Sequence, residues 1–579
     1  MTGKPNASTF SRQFEAGNRA GLRDGEYRFA PTANSAMLRG TKTKGRIMGS
    51  TAYRSYVLAL LMVIFAFNFL DRSVVTILAP YLKADLGVSD AQIGLLYGTA
   101  FALFYAVFGL PLAKLADGWS RVKTISLGLG FWSVMTALSG MAGNFAQLGA
   151  ARIGVGVGEA SASPASYSLL QDYFPKRMRA TVLALYSSGI YIGSGASTMF
   201  GSQVIKYWEA HYTSATAPFG LKGWQATYLV FGLPGIALAL LALLTVREPV
   251  RGEIDGLPTP GDPHPFRSVM REFAAMLPPW NLLRFARAAP DKRPLITNFV
   301  LMVGLMIAAV IVVHFTDGLL NPTKRPVVAT IGGIPFTTNM IQWIAIAIGI
   351  YCSASWVQTI KLRDAPAYSL IANRGFVAIT LVGGLMSFIS YGAAPFVFLY
   401  AKTQFGVGPE FGVKLGLVTA AAGGFGAAFG GILGDWFKRF HPAGRLFVPL
   451  IAVLISAFTL YLTYHAATVD AFLALAGLNM FFHIMWLGPC GASIQDLVLP
   501  RMRGTATAVF LLGTTVIGLG LGPYIVGLVS DVTHDLRAAI LSTIVVVPII
   551  VMCIVIAIQS FPRLEATLIA RARNAGEPV

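Results

Sequence analysis

The chain has 579 residues, 55% hydrophobic and 12% charged, with a formal net charge of +19. A soluble domain carries about 25% charged residues, so these values exclude a string of soluble domains and make lipid the solvent for most of the chain. The positive balance fits Lys and Arg gathered in cytoplasmic loops rather than a nucleic-acid surface, because no aromatic-interleaved basic domain is present. Cys352, Cys490 and Cys553 all lie in apolar segments without metal-ligand spacing, so neither a metal site nor a disulfide framework is expected.

Residues 1–52 are polar, Gly-rich and basic, with ten Lys/Arg against three acids across residues 1–55. They lack the apolar run of a signal peptide and read as a disordered cytosolic tail. Met48 stands just before the first apolar segment and is a second candidate start beside Met1. An N-terminal six-helix bundle is expected over 53–250, with spans near 55–80, 90–114, 123–142, 147–170, 180–205 and 224–246. A basic cytoplasmic linker, 251–295, follows. There Phe266, Val269, Met270, Phe273 and Leu277 recur at helical spacing beside Arg267 and Arg271, and Pro278 and Pro279 end the run. This predicts a short amphipathic helix, either on the inner leaflet or as a solvated linker.

An inserted helix pair is expected within 296–370, with spans near 296–315 and 340–357. A C-terminal six-helix bundle over 371–562 follows, spanning near 371–401, 412–434, 445–465, 469–495, 504–530 and 537–560, and 563–579 is a second cytosolic tail. The fold class is therefore all-α and polytopic, with about fourteen spans. Basic residues recur in alternate loops, among them Arg121, Lys123, Arg179, Arg247, Lys361, Lys438 and Arg501, which puts both termini in the cytosol.

The chain also repeats itself. Q-D-Y-F-P-K-R-M-R-A-T (171–181) is echoed by Q-D-L-V-L-P-R-M-R-G-T (495–505), and the R-M-R core is offset by 324 residues. A-D-G-W-S-R, with Asp117 and Arg121, is echoed by G-D-W-F-K-R, with Asp435 and Arg439, at an offset of 318. Two motifs in one order at nearly one offset indicate duplicated halves. The inserted pair, being even in number, keeps the second half in the orientation of the first.

These motifs resemble the major facilitator superfamily, whose signature between the second and third helices is roughly G-x-x-x-D-R-x-G-R-R. Here Ala113, Gly118 and Ser120 depart from it in the first copy, while Gly431 to Arg439 keep the Gly and Asp better. Longer strings are similar to the Spinster branch: Asn68 to Arg72, Arg152 to Pro164, Ser168 to Pro175, Arg247 to Gly252, Trp486 to Pro489 and Gly518 to Pro523. The resemblance implies two six-helix bundles working by alternating access. It also implies a cytoplasmic seam gated by Asp117, Arg121, Asp172, Arg179, Asp435 and Arg439.

Charges inside spans are costly and default to functional candidates. Asp71 and Arg72, with Asn68 a turn earlier, lie deep in the first span. Arg152 and Glu159 are seven residues, two turns, apart in the fourth and share a face. The expectation is a polar cluster on the central cavity in which Asp71 or Glu159 carries a coupling proton, with Arg72 or Arg152 as the competing partner. The alternative is a static ion-pair network that fixes helix packing. Tyr391 and Phe398 are candidate walls for an amphiphilic ligand, and His483 is either a sensor or a satisfied interior histidine.

Proton-coupled secondary active transport is expected, of an amphiphilic substrate such as a lysophospholipid or sphingolipid-like molecule. The alternative is proton-linked transport of a small organic anion or drug-like compound. No nucleophile–base set marks an enzyme. No cofactor beyond the proton is expected, the partners are substrate and membrane lipid, and the location is the inner membrane as a monomer.

Overall fold

The computed structural model describes residues 50–175, 178–213, 215–255, 261–288 and 292–577. The expected tail over 1–52 lies almost wholly outside them. The fold described here is that of the unit Arg54–Val579.

Apolar runs bounded by capping residues set the helices of the first half. These are α1 (Thr51–Leu86), α2 (Asp90–Gly118), α3 (Arg121–Ser139), α4 (Phe145–Glu159, then Ala162–Tyr173), α5 (Arg179–Ser187, then Gly189–His211) and α6 (Gly223–Thr245). Ser89 opens α2 with a capping box to Gln92, Ser120 caps α3 and Asn144 caps α4. Helix α4 breaks directly after Glu159.

The insert comprises α7 (Pro265–Met276), α8 (Trp280–Ala288), α9 (Arg293–Leu319), a hairpin of β1 (Val327–Ile331) and β2 (Ile334–Thr337), α10 (Thr338–Arg363) and α11 (Ala365–Ile371). The hairpin turns through Gly332 and Gly333, at φ +59° and +81°, a backbone region that favours glycine. Neither the hairpin nor α11 was legible in the apolar pattern. The second half follows as α12 (Arg374–Phe405), α13 (Pro409–Lys438), α14 (Gly444–Tyr464), α15 (Val469–Asp496), α16 (Pro500–Thr533) and α17 (Leu536–Ala566).

Among the described residues, eleven helices are long and apolar enough to cross a membrane, against the fourteen expected. The other three expected segments, α3, α4 and α5, are helical too. Helix α3 carries Arg121 and Lys123 in its first turn, and α4 and α5 are each interrupted.

The halves meet along two seams. The Asp90–Tyr97 turns of α2 pack on α16, and α5 packs on α13. Close approach depends on glycine: Gly94 sits against the backbone of Pro523, and Gly195 and Gly416 sit against each other's helices. At one end of the α2–α16 seam, Asp531 accepts from the amides of Asp90 and Ala91 at 3.3 and 2.8 Å, and Ser530 donates to the Asp90 carboxylate at 2.8 Å.

The insert packs outside the two bundles. Helix α7 turns its apolar side onto α2, where Phe273 meets Phe108 at 5.0 Å between ring centres and Phe266 meets Trp119 at 5.6 Å. Phe273 and Leu277 of this face are half-buried against protein, while Phe266 and Met270 stay largely exposed. Buried Asn281 ties α8 to α10 by donating to Tyr351 and Ser355 at 2.7 and 2.8 Å, and Asn298 of α9 accepts from Tyr351 at 2.7 Å.

Candidate functional site

Neighbouring residues on a helix point about 100° apart, and this separates Asp71 from Arg72. Arg72 turns towards α2 and α4. Its guanidinium lies 3.0 Å from Glu159, 3.5 Å from the side-chain Oδ1 of Asn68, and 4.3, 4.6 and 5.2 Å from the ring centres of Phe101, Phe69 and Tyr105. Both members of the ion pair are buried. Tyr391 of α12 lies within electrostatic reach of Arg72, so the second half borders this pair.

Asp71 is fully buried and faces the bundle interior, with Trp132 and Thr136 of α3 beside its carboxylate and Glu159 and Arg152 nearby. Asp71 is expected on the central cavity together with Glu159, and its carboxylate lies towards α3 with Glu159 and Arg152 nearby. Of the two candidate cations, Arg72 takes the ion pair and Arg152 lies beside it. The Arg152 guanidinium donates to the backbone carbonyls of Asp71 and Arg72, at 2.9 and 3.3 Å. It clamps α4 to α1 and adds positive charge beside the two acids. The four ionisable groups sum to zero formal charge, which is how a low-dielectric interior tolerates them.

Two candidates lie elsewhere. Phe398 is fully buried and stands one turn from Lys402, whose ammonium lies 4.3 Å from the ring centre of Tyr81. Tyr81 is nine residues beyond Arg72 on α1, about 13 Å along the axis at 1.5 Å per residue, so Phe398 belongs to the end remote from the ion pair. His483 is buried and tied down by the Met386 carbonyl at 3.1 Å and the Ser456 hydroxyl at 3.4 Å. It joins α15 to α12 and α14 as a satisfied interior histidine.

The loop charges form networks within each half. Arg121, fully buried, pairs with Asp172 and, at 2.7 Å, with Glu248, and it donates to the carbonyls of Ser168 and Pro249 at 3.1 and 3.0 Å. The main-chain carbonyl of Asp117 accepts from Arg251. Arg179 folds back on its own loop, donating to the Gln171 carbonyl at 2.7 Å rather than to Asp172. In the second half the expected partner, Arg439, is exposed. Asp435 pairs with Arg445 at 2.7 Å, and Arg445 also holds Asp496 at 2.6 Å. Lys438 joins Asp496 and, at 3.1 Å, Glu565.

Arg445 is therefore the counterpart of Arg121, since each holds the Asp of the repeated Q-D pair. The signal was available: Arg445 follows Arg121 by 324 residues, the offset of the R-M-R core. The second loop is longer, so matching by local likeness selected Arg439 instead.

The family model described as Major Facilitator Superfamily matches residues 61–523. An MFS-type efflux pump of Mycolicibacterium smegmatis is 27% identical over 476 residues, 81% of this chain and 83% of the relative. Protein spinster of Drosophila melanogaster is 31% identical over 33% of this chain and 29% of its own length, and a probable L-galactonate transporter of Escherichia coli is 30% identical over 31% and 37%. Among solved structures, a bacterial homologue of the human lysosomal transporter Spinster, inward-facing and unoccupied, matches with a TM-score of 0.64 at 24% identity, covering 89% of this chain and 99% of that one. The chain belongs to the Major Facilitator Superfamily and is a polytopic membrane transporter of small molecules, not an enzyme.

Proposed function

We propose that the chain is a proton-coupled carrier of an amphiphilic anion, such as a lysophospholipid or sphingolipid-like molecule, working by alternating access in the inner membrane. In this reading the chain crosses fourteen times with both termini cytosolic. The end bearing Asp90 and Asp531 is then the outer one, closed in the arrangement described. The end bearing Arg121 and Arg445, where each ion network stays within its own half, faces the cytosol.

The carrying observation is the buried Arg72–Glu159 pair at 3.0 Å. A substrate anion reaching Arg72 competes with Glu159 for the same guanidinium. A displaced carboxylate in an apolar interior is stabilised by taking a proton, which links substrate binding to proton uptake. Asp71 and Arg152 lie beside the pair and complete the charge balance. The rings of Phe69, Phe101 and Tyr105 around Arg72 suit an apolar chain attached to an anionic head.

Transport of a small organic anion is the second reading, favoured by the same Arg72 and by relatives named as galactonate, galactarate/glucarate and hexuronate transporters. Counterflow in proteoliposomes with a labelled lysolipid or a labelled sugar acid separates the two. In the same assay Glu159→Gln retains exchange and loses accumulation driven by a pH gradient. Accumulation unchanged in Glu159→Gln, with unchanged pH dependence, would make the pair structural and sink the proton-coupled reading.

A further inference from the structure

The insert straddles the α2–α16 seam. Towards the first half its attachment is apolar and runs along most of α2. Val107 of α2 clusters with Met276, Tyr351 and Cys352, and Leu103, Phe108 and Leu110 pack on the same group. Leu103 also lies 3.3 Å from where a Cβ on Gly349 would stand. At the seam's end, Gln92 donates to Thr338 at 3.3 Å.

Towards the second half the attachment lies on α16, where Trp356 packs beside Leu512 and Val516, Trp343 meets Tyr524 at 6.2 Å between ring centres, and a short row of polar contacts lies alongside. Gln342 donates to the main-chain carbonyl of Gly520 at 3.1 Å, Tyr524 donates to the side-chain Oδ1 of Asn339 at 2.8 Å, and Lys324 meets Asp531 at 3.3 Å. Gln342, Asn339 and Tyr524 are all buried. Gly520 lies in the π-helical stretch Thr514–Leu521, a geometry that departs from the regular backbone ladder. Its carbonyl also accepts from Thr99 of α2 at 2.5 Å. One atom of the second half is thus gripped by both the first half and the insert, and Asp531 is likewise shared by Lys324 and the Asp90 and Ala91 amides.

When the halves part at this end, an element bonded to both must release one of them. The contact with α2 is the longer one and draws in both α7 and α10, whereas the contacts at Gly520, Tyr524 and Asp531 lie on one face of α16 and can let go together. We propose that the insert rides with the first half and acts as a latch across the α2–α16 seam, its contacts to Gly520, Tyr524 and Asp531 existing only while that end is closed. The inference rests on the alternating-access reading above.

The test uses the full-length carrier in lipid nanodiscs with pairs of spin labels at exposed positions: Met141 in the first half, Ile334 on the hairpin and Ala467 in the second half. The three native cysteines are buried. On cycling pH, the 141–467 and 334–467 distances are expected to lengthen together while 141–334 holds constant. In the double variant Gln342→Leu/Tyr524→Phe, the longer 141–467 population should rise at least threefold. A constant 334–467 with a changing 141–334 overturns the latch by placing the insert on the second half. A 141–467 distance that never changes overturns the alternating-access reading itself. Equal open populations in wild type and double variant, with the halves moving, leave the insert as packing only.

Discussion

Replacing Arg72 by Met removes the sole side-chain cation within 4.0 Å of Glu159 among the described residues. Two unit charges about 4 Å apart at an effective dielectric of about 20 interact by roughly 4 kcal/mol. Removing one partner of a buried pair costs about 3–5 kcal/mol, since the other is left buried and uncompensated. Glu159→Gln should cost less than Arg72→Met, because the guanidinium left behind still lies 4.3 and 4.6 Å from the ring centres of Phe101 and Phe69, contacts worth about 0.5–2 kcal/mol each. The double variant Arg72→Met/Glu159→Gln removes both charges and should regain at least about 2 kcal/mol relative to the sum of the singles. Reversible unfolding in mixed micelles, followed through the nine tryptophans, measures all four corners of the cycle. Additivity within about 0.5 kcal/mol would show that the two groups do not stabilise each other, and the reasoning from the ion pair to coupling would fail with it.

Arg445→Ala is expected to lower the initial counterflow rate as Arg121→Ala does, while Arg439→Ala stays within twofold of wild type; the reverse ranking would return the second network to Arg439. Gly94→Ala places a methyl 2.6 Å from the Pro523 carbonyl carbon, so the closed end of the α2–α16 seam should open, read as a longer 141–467 spin-label distance; an unchanged distance refutes the tight approach. At the end of α10, the hydrogen bond from Arg501 at 2.6 Å holds the Asp364 carboxyl below its usual value. A depressed carboxyl stabilises the fold above its unfolded value, about 3.9, and that stabilisation is lost as pH falls through the folded value. Asp364→Asn should therefore lower the thermal midpoint at pH 7, with the difference shrinking as pH falls from about 4 towards the depressed folded value; a difference that does not shrink as the solution is acidified would assign the effect to packing.

The apolar runs, basic loops and 324-residue repeat were enough to read an all-α polytopic chain with duplicated halves and an insert between them, because each of those features is a local or periodic property of the chain. The same reading found all four ionisable groups of the first half, since a charge inside a span is conspicuous by its cost. It left open which cation meets which acid. Periodicity records which residues leave water, but lipid and protein interior are alike apolar, so it does not record which helix each residue meets. Only the packed structure turned Asp71 towards Trp132 and Thr136, and only it brought Arg152 onto the carbonyls of α1. It exchanged Arg439 for Arg445 because a longer loop moved the cation that reaches Asp496. It laid the insert across α2 and α16 because Gln342, Asn339 and Lys324 find acceptors and donors there that lie some 200 residues away in sequence, a distance over which no local pattern carries information.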